Sequence, residues 1–416
     1  MQSESSGWRV YHLVQPYFFA HHHFHRRKLE YLRAAGYSAW GLAVVPESLY
    51  CSYKARYEEA VASGYMKIVR VAEQQATNRA LLWFLLRELL TGQRLLVHVL
   101  RCDPAPVIRL RRMPGIGARL RYVLEYEGDL PSELIYQGAF VEGERPPSEP
   151  PSALKTAYDT SLATQKHEAD RADGLVLMSK EHIELWRGRL ARPVNACCLP
   201  TLPDSSRFRF DVRQRDEVRC ELGLEDRLVF VYTGNLVCKW QRLEAMCAVI
   251  AELRKKIPSA WFLALVRVDD LHLAEEAISR HGLKECATVK HVPSSEIGRY
   301  LSAADVGLFL RHRHPMNMVV TSGKLGEYLA AGLPVLTTGA NAEVLNEYLR
   351  QTRSGAFIDD DLALDEDSLA RLVELTNHFS QPDSRTELSR AAEKQFNGDN
   401  DPFGGYVPFI RNIMKL

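Results

Sequence analysis

Short apolar runs alternate with amphipathic helical stretches along the chain, and this alternation constrains the fold more than any other feature. In the first half the runs read as strands over 8–14, 38–45, 67–72, 94–100, 121–126 and 174–178. Helices are expected over 29–35, 78–90, 153–172 and 180–190. A run such as RLLVHVL is apolar almost throughout, so both of its faces need cover. Strand, helix and parallel strand in repetition build a doubly wound sheet. A proline-bearing stretch, 199–208, interrupts the series. The pattern then resumes with strands over 228–233, 261–268, 288–292, 305–310, 334–338 and 356–359, and helices over 243–256 and 273–281. A last helix is expected over 406–414. The expectation is an α/β protein of two doubly wound Rossmann-like domains, 1–202 and 203–392, with a terminal segment 393–416.

The bulk properties exclude several classes. A chain of 416 residues, 46% hydrophobic and 25% charged, suits two ordinary domains, each with a core. A net charge of +1 gives no global attraction to nucleic acid, and none is expected as a partner. The 8 cysteines are scattered, without the paired spacing of a zinc site, which suits a reducing, cytoplasmic compartment. The opening residues MQSESSGW lack a signal-peptide core. The longest apolar run, 80–90, contains Arg87 and Glu88 and is too short for a bilayer core of about 30 Å.

The chemistry concentrates in residues 321–338, TSGKLGEYLAAGLPVLTT. Thr321 or Ser322 is placed to cap a helix, and Gly323 leaves the backbone open to a ligand. Leu325, Tyr328 and Leu329 fall on one helical face; Gly332 and Pro334 end the helix before a strand. A helix start with free N–H groups attracts anions, and Lys324 adds a cation. Glu327, one turn on, suits hydroxyl groups rather than phosphate. Together they fit a nucleotide sugar, with diphosphate on the loop and Lys324 and ribose on Glu327. A capped surface helix with a Lys/Glu pair accounts for the same residues equally well.

The run resembles the nucleotide-sugar segment of the GT-B glycosyltransferases, especially the retaining family four (glycosyl transferases group 1). Ser322, Lys324, Glu327, Tyr328, Leu329, Ala330, Gly332, Pro334 and Val335 carry the likeness. It implies two domains facing across a cleft, with acceptor in the first and donor in the second, and a terminal segment that crosses back to the first. It implies transfer of a sugar from a UDP-, GDP- or similar donor to a saccharide or lipid-linked acceptor. Retention of configuration, a place in polysaccharide biosynthesis, and neither cofactor nor metal follow from the same likeness. One departure stands out: where the family often has a second glutamate facing the donor sugar, this chain has Val319. That departure keeps open a non-catalytic module that partners another glycosyltransferase.

Other candidates follow predicted strands. In TGNLVCKW, Gly234, Asn235 and Lys239 resemble the loop that approaches the donor diphosphate, although Asn235 replaces the usual arginine. The resemblance gives His291, Val292 and Pro293 a backbone contact with the base. In RHRHPMN, Arg311 suits phosphate oxygens and Asn317 the donor sugar or phosphate. His98 falls where the family places a first-domain histidine near the donor sugar, although a histidine in an apolar strand also suits a hydrogen-bonded core. Asp129, with Gly128 and Glu133, suits acceptor hydroxyls or a helix cap. His98, Asp129 and Arg311 are the catalytic candidates. In FFAHHHFH, Phe18, Phe19 and Phe24 suit either sugar stacking or core packing, and the histidines have no partner ligand set for a metal. Arg109, Arg111, Arg112, Arg119 and Arg121 interleave with Leu110, Met113, Ile116 and Leu120, a pattern of a solvated basic helix or of peripheral contact with anionic lipid.

Overall fold

The computed structural model describes residues 7–17, 22–201, 203, 205–397 and 403–415, without the side chains of 22–24, 205, 206 and 397. The chain forms two compact units.

The first unit comprises Met1–Glu127, Leu162–Pro200 and Pro402–Leu416. Its strands are β1 (Trp8–Leu13), β2 (Ser38–Pro46), β3 (Met66–Val71), β4 (Arg94–Leu100), β5 (Leu120–Tyr126), β6 (Gly174–Leu177) and β7 (Asn195–Cys198). They form one parallel sheet in the order β3-β2-β1-β4-β5-β6-β7. Successive side chains leave opposite faces. Tyr11, Val97, Tyr122 and Leu124 therefore pack on one face with Leu81 and Leu85 of helix Thr77–Leu90. The other face carries His12 beside His98, and then Glu125.

That second face explains His98. Helices His22–Ala34 and Phe403–Lys415 bring Lys28 and Tyr406 to it. Tyr406 Oη lies 2.7 Å from His98 Nδ1 and 2.8 Å from His12 Nε2. His98 Nε2 is 2.8 Å from Glu125 Oε2, and Lys28 Nζ is 2.5 Å from both Glu125 oxygens. All five side chains are buried. Burial holds the His98 imidazole below its ordinary pKa, against the pull of Glu125, and lowers His12 well below its own. His98 is thus a hydrogen-bonded core residue, the alternative its apolar strand had offered.

The second unit comprises Gly128–Ser161 and Thr201–Asp401. Its strands β8 (Leu228–Gly234), β9 (Ala260–Val266), β10 (Ala287–Lys290), β11 (Val306–Phe309), β12 (Val335–Thr337) and β13 (Gly355–Phe357) form a parallel sheet in the order β10-β9-β8-β11-β12-β13. The order reverses between β8 and β11, and such reversals open a crevice at the carboxyl ends of the strands. Residues 128–161 join this unit, whereas sequence order grouped them with the first half. Helix Leu130–Ala139 packs on helix Pro315–Met318, with Tyr136 Oη 2.7 Å from His312 Nδ1.

Most expected elements appear with small shifts. Strand β9 stops at Val266, before Arg267 and Val268, where the chain leaves the sheet for a tight turn. The first helix starts at His22, well ahead of its apolar positions. Strand β7 was not anticipated: NACC is too short and too polar to stand out, and it sits at the sheet edge. The basic cluster belongs to a packed surface. Leu110, Ile116 and Leu120 are buried, Arg111 pairs with Asp173 at 2.8 Å, and Arg119 bonds the Leu89 carbonyl. Of the interleaved apolar residues Met113 is exposed and the other three are buried. No described helix is long and apolar enough to cross a membrane.

Candidate functional site

The crevice between β8 and β11 gathers several of the expected residues. Strand β8 ends at Gly234, whose φ of 133° is a conformation that side chains rarely adopt. The next loop is held by Tyr232 Oη, which donates to the Asn235 carbonyl at 2.9 Å. Buried Asp270 accepts from the Leu236 N–H at 2.9 Å. Strand β11 leads directly to Arg311. Helix Gly323–Ala330 lies above both. It ends as expected at Gly332, whose φ is 62°; the Gly332 and Leu333 N–H groups bond the carbonyls of Leu329 and Tyr328.

The start of that helix differs from the expectation. Ser322 occupies the cap position but its side chain makes no cap hydrogen bond. Thr321 Oγ1 instead accepts from the Thr201 N–H at 2.9 Å. The first-turn N–H groups are therefore left without a side-chain cap, and such groups favour an anion.

Lys324 reaches back over the loop. A Cβ on Gly234 would lie 2.8 Å from Lys324 Nζ. The ammonium sits 3.9 Å from the centre of the Tyr232 ring and donates to Gln241 Oε1 at 3.1 Å. Burial, together with the positive charge of Arg311, pushes the Lys324 pKa well below its ordinary value, although Glu327 opposes this. Arg311 is itself lowered by burial; its guanidinium lies over Phe309, and its Nε has no hydrogen-bond partner. The two partly buried cations thus act on one another electrostatically, and neither forms an ion pair among the described residues. Burial raises the Glu327 carboxyl to about 7, partly offset by Lys324. Glu327 makes no hydrogen bond among the described residues, so its oxygens remain available to a ligand.

The other expected residues are placed less centrally. Lys239 is exposed, and its ammonium donates to the Gln137 carbonyl at 2.9 Å. His291 Nδ1 lies 3.2 Å from the Val266 carbonyl, and Val292 is buried. Asn317 is fully buried; its Nδ2 donates to the His312 carbonyl at 3.0 Å, and its Oδ1 has no partner. Asp129 is buried at the start of helix Leu130–Ala139 and accepts from Ser132 Oγ. A side chain on Gly128 would collide with the Glu133 carboxylate. Val319 is buried where the resemblance places a glutamate. His25 is buried, while residues 18–21 and the Phe24 side chain lie outside the described residues. Sequence reading missed Tyr232, Gln241 and Asp270. Tyr232 looks like any residue of a buried strand, and nothing local marks its ring as the bed of a lysine far along the chain.

Two parallel α/β units with these strand orders have the GT-B fold. Over residues 227–375 the chain matches the family model of the glycosyl transferases group 1. Solved structures share the fold over nearly the whole length. Sucrose-phosphate synthase from Thermosynechococcus elongatus is similar with a TM-score of 0.66 at 14% identity, covering 98% of this chain and 99% of that one. Anabaena HepE in complex with UDP-glucose gives 0.65 at 11% identity, covering 98% and 100%. WaaG, a glycosyltransferase involved in lipopolysaccharide biosynthesis, gives 0.58 at 13% identity, covering 97% and 98%. No curated protein matches the chain in sequence.

Proposed function

We propose that the chain is a hexosyltransferase that moves a sugar from a nucleotide-diphosphate donor to an acceptor hydroxyl, with retention of configuration. The observation that carries this reading is Lys324, at the uncapped helix start, reaching over Gly234 within the field of Arg311, with no carboxylate ion-paired to either cation among the described residues. In the transfer, the bond from the anomeric carbon to the diphosphate oxygen breaks. The electron pair leaves with the diphosphate while the acceptor oxygen bonds the carbon and gives up its proton to the departing diphosphate oxygen. Fixed positive groups beside the leaving oxygens lower the barrier because the charge there grows in the transition state. Glu327 holds the ribose hydroxyls. The UDP-glucose complex of HepE makes uridine nucleotides the first donors to test.

The test is a thermal shift with UDP, GDP, ADP and their glucose conjugates, since a ligand of the folded state alone raises the melting temperature. A shift with one base, lost in Lys324→Ala, is expected; no shift with any donor would overturn the reading. Buried Val319 favours a second reading, a module that binds donor without transferring sugar. Donor binding without hydrolysis or transfer against an acceptor panel would select it.

Two further outcomes follow. Gly234→Ala puts a methyl against Lys324 and strains a backbone suited to glycine, which costs about 1–2 kcal/mol. Calorimetric titration should show UDP affinity falling about tenfold for each 1.4 kcal/mol of lost contact, with a drop of a few degrees in melting temperature. Glu327 titrates near 7 in the free protein, and its ionised form is the better acceptor for ribose hydroxyls. Wild-type affinity relative to Glu327→Gln should therefore rise between pH 6 and pH 8. An identical pH profile for the two proteins would remove Glu327 from the ribose.

A further inference from the structure

Among the described residues the Lys324 ammonium is held over Gly234 by two neutral partners, an aromatic ring and an amide. We infer that Tyr232 is a positioning residue of this crevice. Its ring holds the ammonium without neutralising it, and its hydroxyl holds the loop beneath, so cation and backbone are in place before a diphosphate arrives. The inference rests on the donor reading for the diphosphate, though not for the hold on Lys324.

The choice of partner carries the argument. A lysine is a point charge on a flexible four-carbon stem, and an anion site gains most from a cation that is already placed. A carboxylate would hold the ammonium more firmly, but it would cancel the charge that the ligand is to meet. The face of an aromatic ring attracts a cation and leaves its charge intact. The Tyr232 ring does this with its centre 3.9 Å from Nζ, and Gln241 Oε1 accepts from Nζ at 3.1 Å. The ring is itself fixed. Tyr232 is buried in strand β8, and burial drives its phenol well above the ordinary pKa. The hydroxyl therefore stays protonated and donates to the Asn235 carbonyl at 2.9 Å, which ties the ring to the loop after Gly234. A Cβ on Gly234 would lie 2.8 Å from Lys324 Nζ and 3.4 Å from Tyr232 Oη, so the glycine backbone adjoins both groups.

The root of Lys324 is fixed separately. Tyr328, four residues on, shares its side of helix Gly323–Ala330. Tyr328 Oη accepts from the Thr233 N–H at 3.2 Å, which ties the helix to the end of β8. A Cβ on Gly307 would lie 2.5 Å from the Tyr328 ring, so glycine at that point of β11 makes room for it. With the helix held at Tyr328, the freedom left to Lys324 is in its stem, and the Tyr232 ring removes it.

The test is calorimetry of UDP on the full chain as wild type, Tyr232→Phe and Tyr232→Leu, each with and without Lys324→Ala. Tyr232→Leu should weaken UDP binding about tenfold, and Tyr232→Phe, which keeps the ring, should restore most of that loss. In the Lys324→Ala background the difference between Leu and Phe should shrink to about twofold or less, because the ring acts through the ammonium. Equal losses in Phe and Leu, or a difference that persists without Lys324, would overturn the inference and leave Tyr232 a core residue. The hold is also read in the unliganded protein by NMR with isotope-labelled lysine. The Lys324 ε-methylene signal, assigned by its loss in Lys324→Ala, should lie upfield in the wild type and in Tyr232→Phe, shifted by the ring current. An unshifted wild-type signal would overturn the inference even if Tyr232→Leu does not fold. A ring-shifted signal in a protein that binds no nucleotide would keep the hold on Lys324 and remove the donor reading; UDP binding with an unshifted signal gives the reverse.

Discussion

Lys324→Ala is expected to lower the catalytic efficiency of sugar transfer by about 100- to 1,000-fold, the usual cost of removing one donor from a preorganised anion site. It should do so without destabilising the fold. Lys324 is half-buried, held over the Tyr232 ring and bonded to one neutral amide, with Arg311 as the neighbouring charge. Two like charges in a partly dry crevice repel, and burial adds to the cost of each. Removing one relieves the other, so the melting temperature of the unliganded variant should stay level or rise. Such a trade of stability for function is common where a site must meet charge that arrives with the ligand. The same physics predicts proton uptake on binding. The folded-state pKa of Lys324 is lowered, and a diphosphate beside it restores the charged form. Titration of UDP in buffers of different ionisation enthalpy should therefore show protons taken up at alkaline pH by the wild type and fewer by Lys324→Ala. A variant that loses stability in proportion to affinity would show instead that Lys324 serves the fold.

The elements of both sheets were legible because parallel strands buried on both faces read as unbroken apolar runs, as in RLLVHVL and LVFVYTG. Strand β7 was not, since an edge strand of four residues needs no such run. The donor crevice was legible where its residues share one helix, as Lys324 and Glu327 do. It was illegible where the contact crosses the chain, as from Lys324 to Tyr232 and Gln241. Lys239 shows the same limit in reverse. Its place after a strand suggested a phosphate ligand, but residues 128–161 join the second unit, and Gln137 takes its ammonium. His98 occupies a strand that alternation makes buried on both faces. Its partner Tyr406, and Lys28 on its other partner Glu125, come from helices at opposite ends of the chain, so no local pattern marked a polar cluster.

That cluster makes the largest stability prediction. Lys28→Met should destabilise the first unit by about 3–5 kcal/mol, because it leaves the Glu125 carboxylate uncompensated in the core. The double variant Lys28→Met/Glu125→Gln should recover much of that loss, since it removes both charges. The pH dependence separates this account from a simple packing defect. Burial alone would raise the Glu125 pKa, but Lys28 and His98 hold it well below the carboxylate range. A depressed carboxyl stabilises above its unfolded value, ordinarily 4.5, and the contribution fades as pH falls through the folded value. His12 and His98 are also lowered, so the unfolded chain takes up protons first as pH drops below 6.5, and stability falls there as well. The contribution of this cluster to wild-type stability should accordingly be level from about pH 7 to pH 8.5 and decline on acidification, so Lys28→Met is read as its difference from wild type at each pH. In Lys28→Met the sign for Glu125 inverts. Without the lysine, burial dominates, the folded pKa rises above the unfolded one, and the native state holds a proton that the unfolded state releases. Its stability should then fall as pH rises from about 7 to 8.5, a window in which the unfolded-state histidines are already neutral. Denaturant melts at three pH values across that window decide the matter. A level profile in Lys28→Met would mean that Glu125 has found another partner or water, and that Lys28 contributes mainly by filling space.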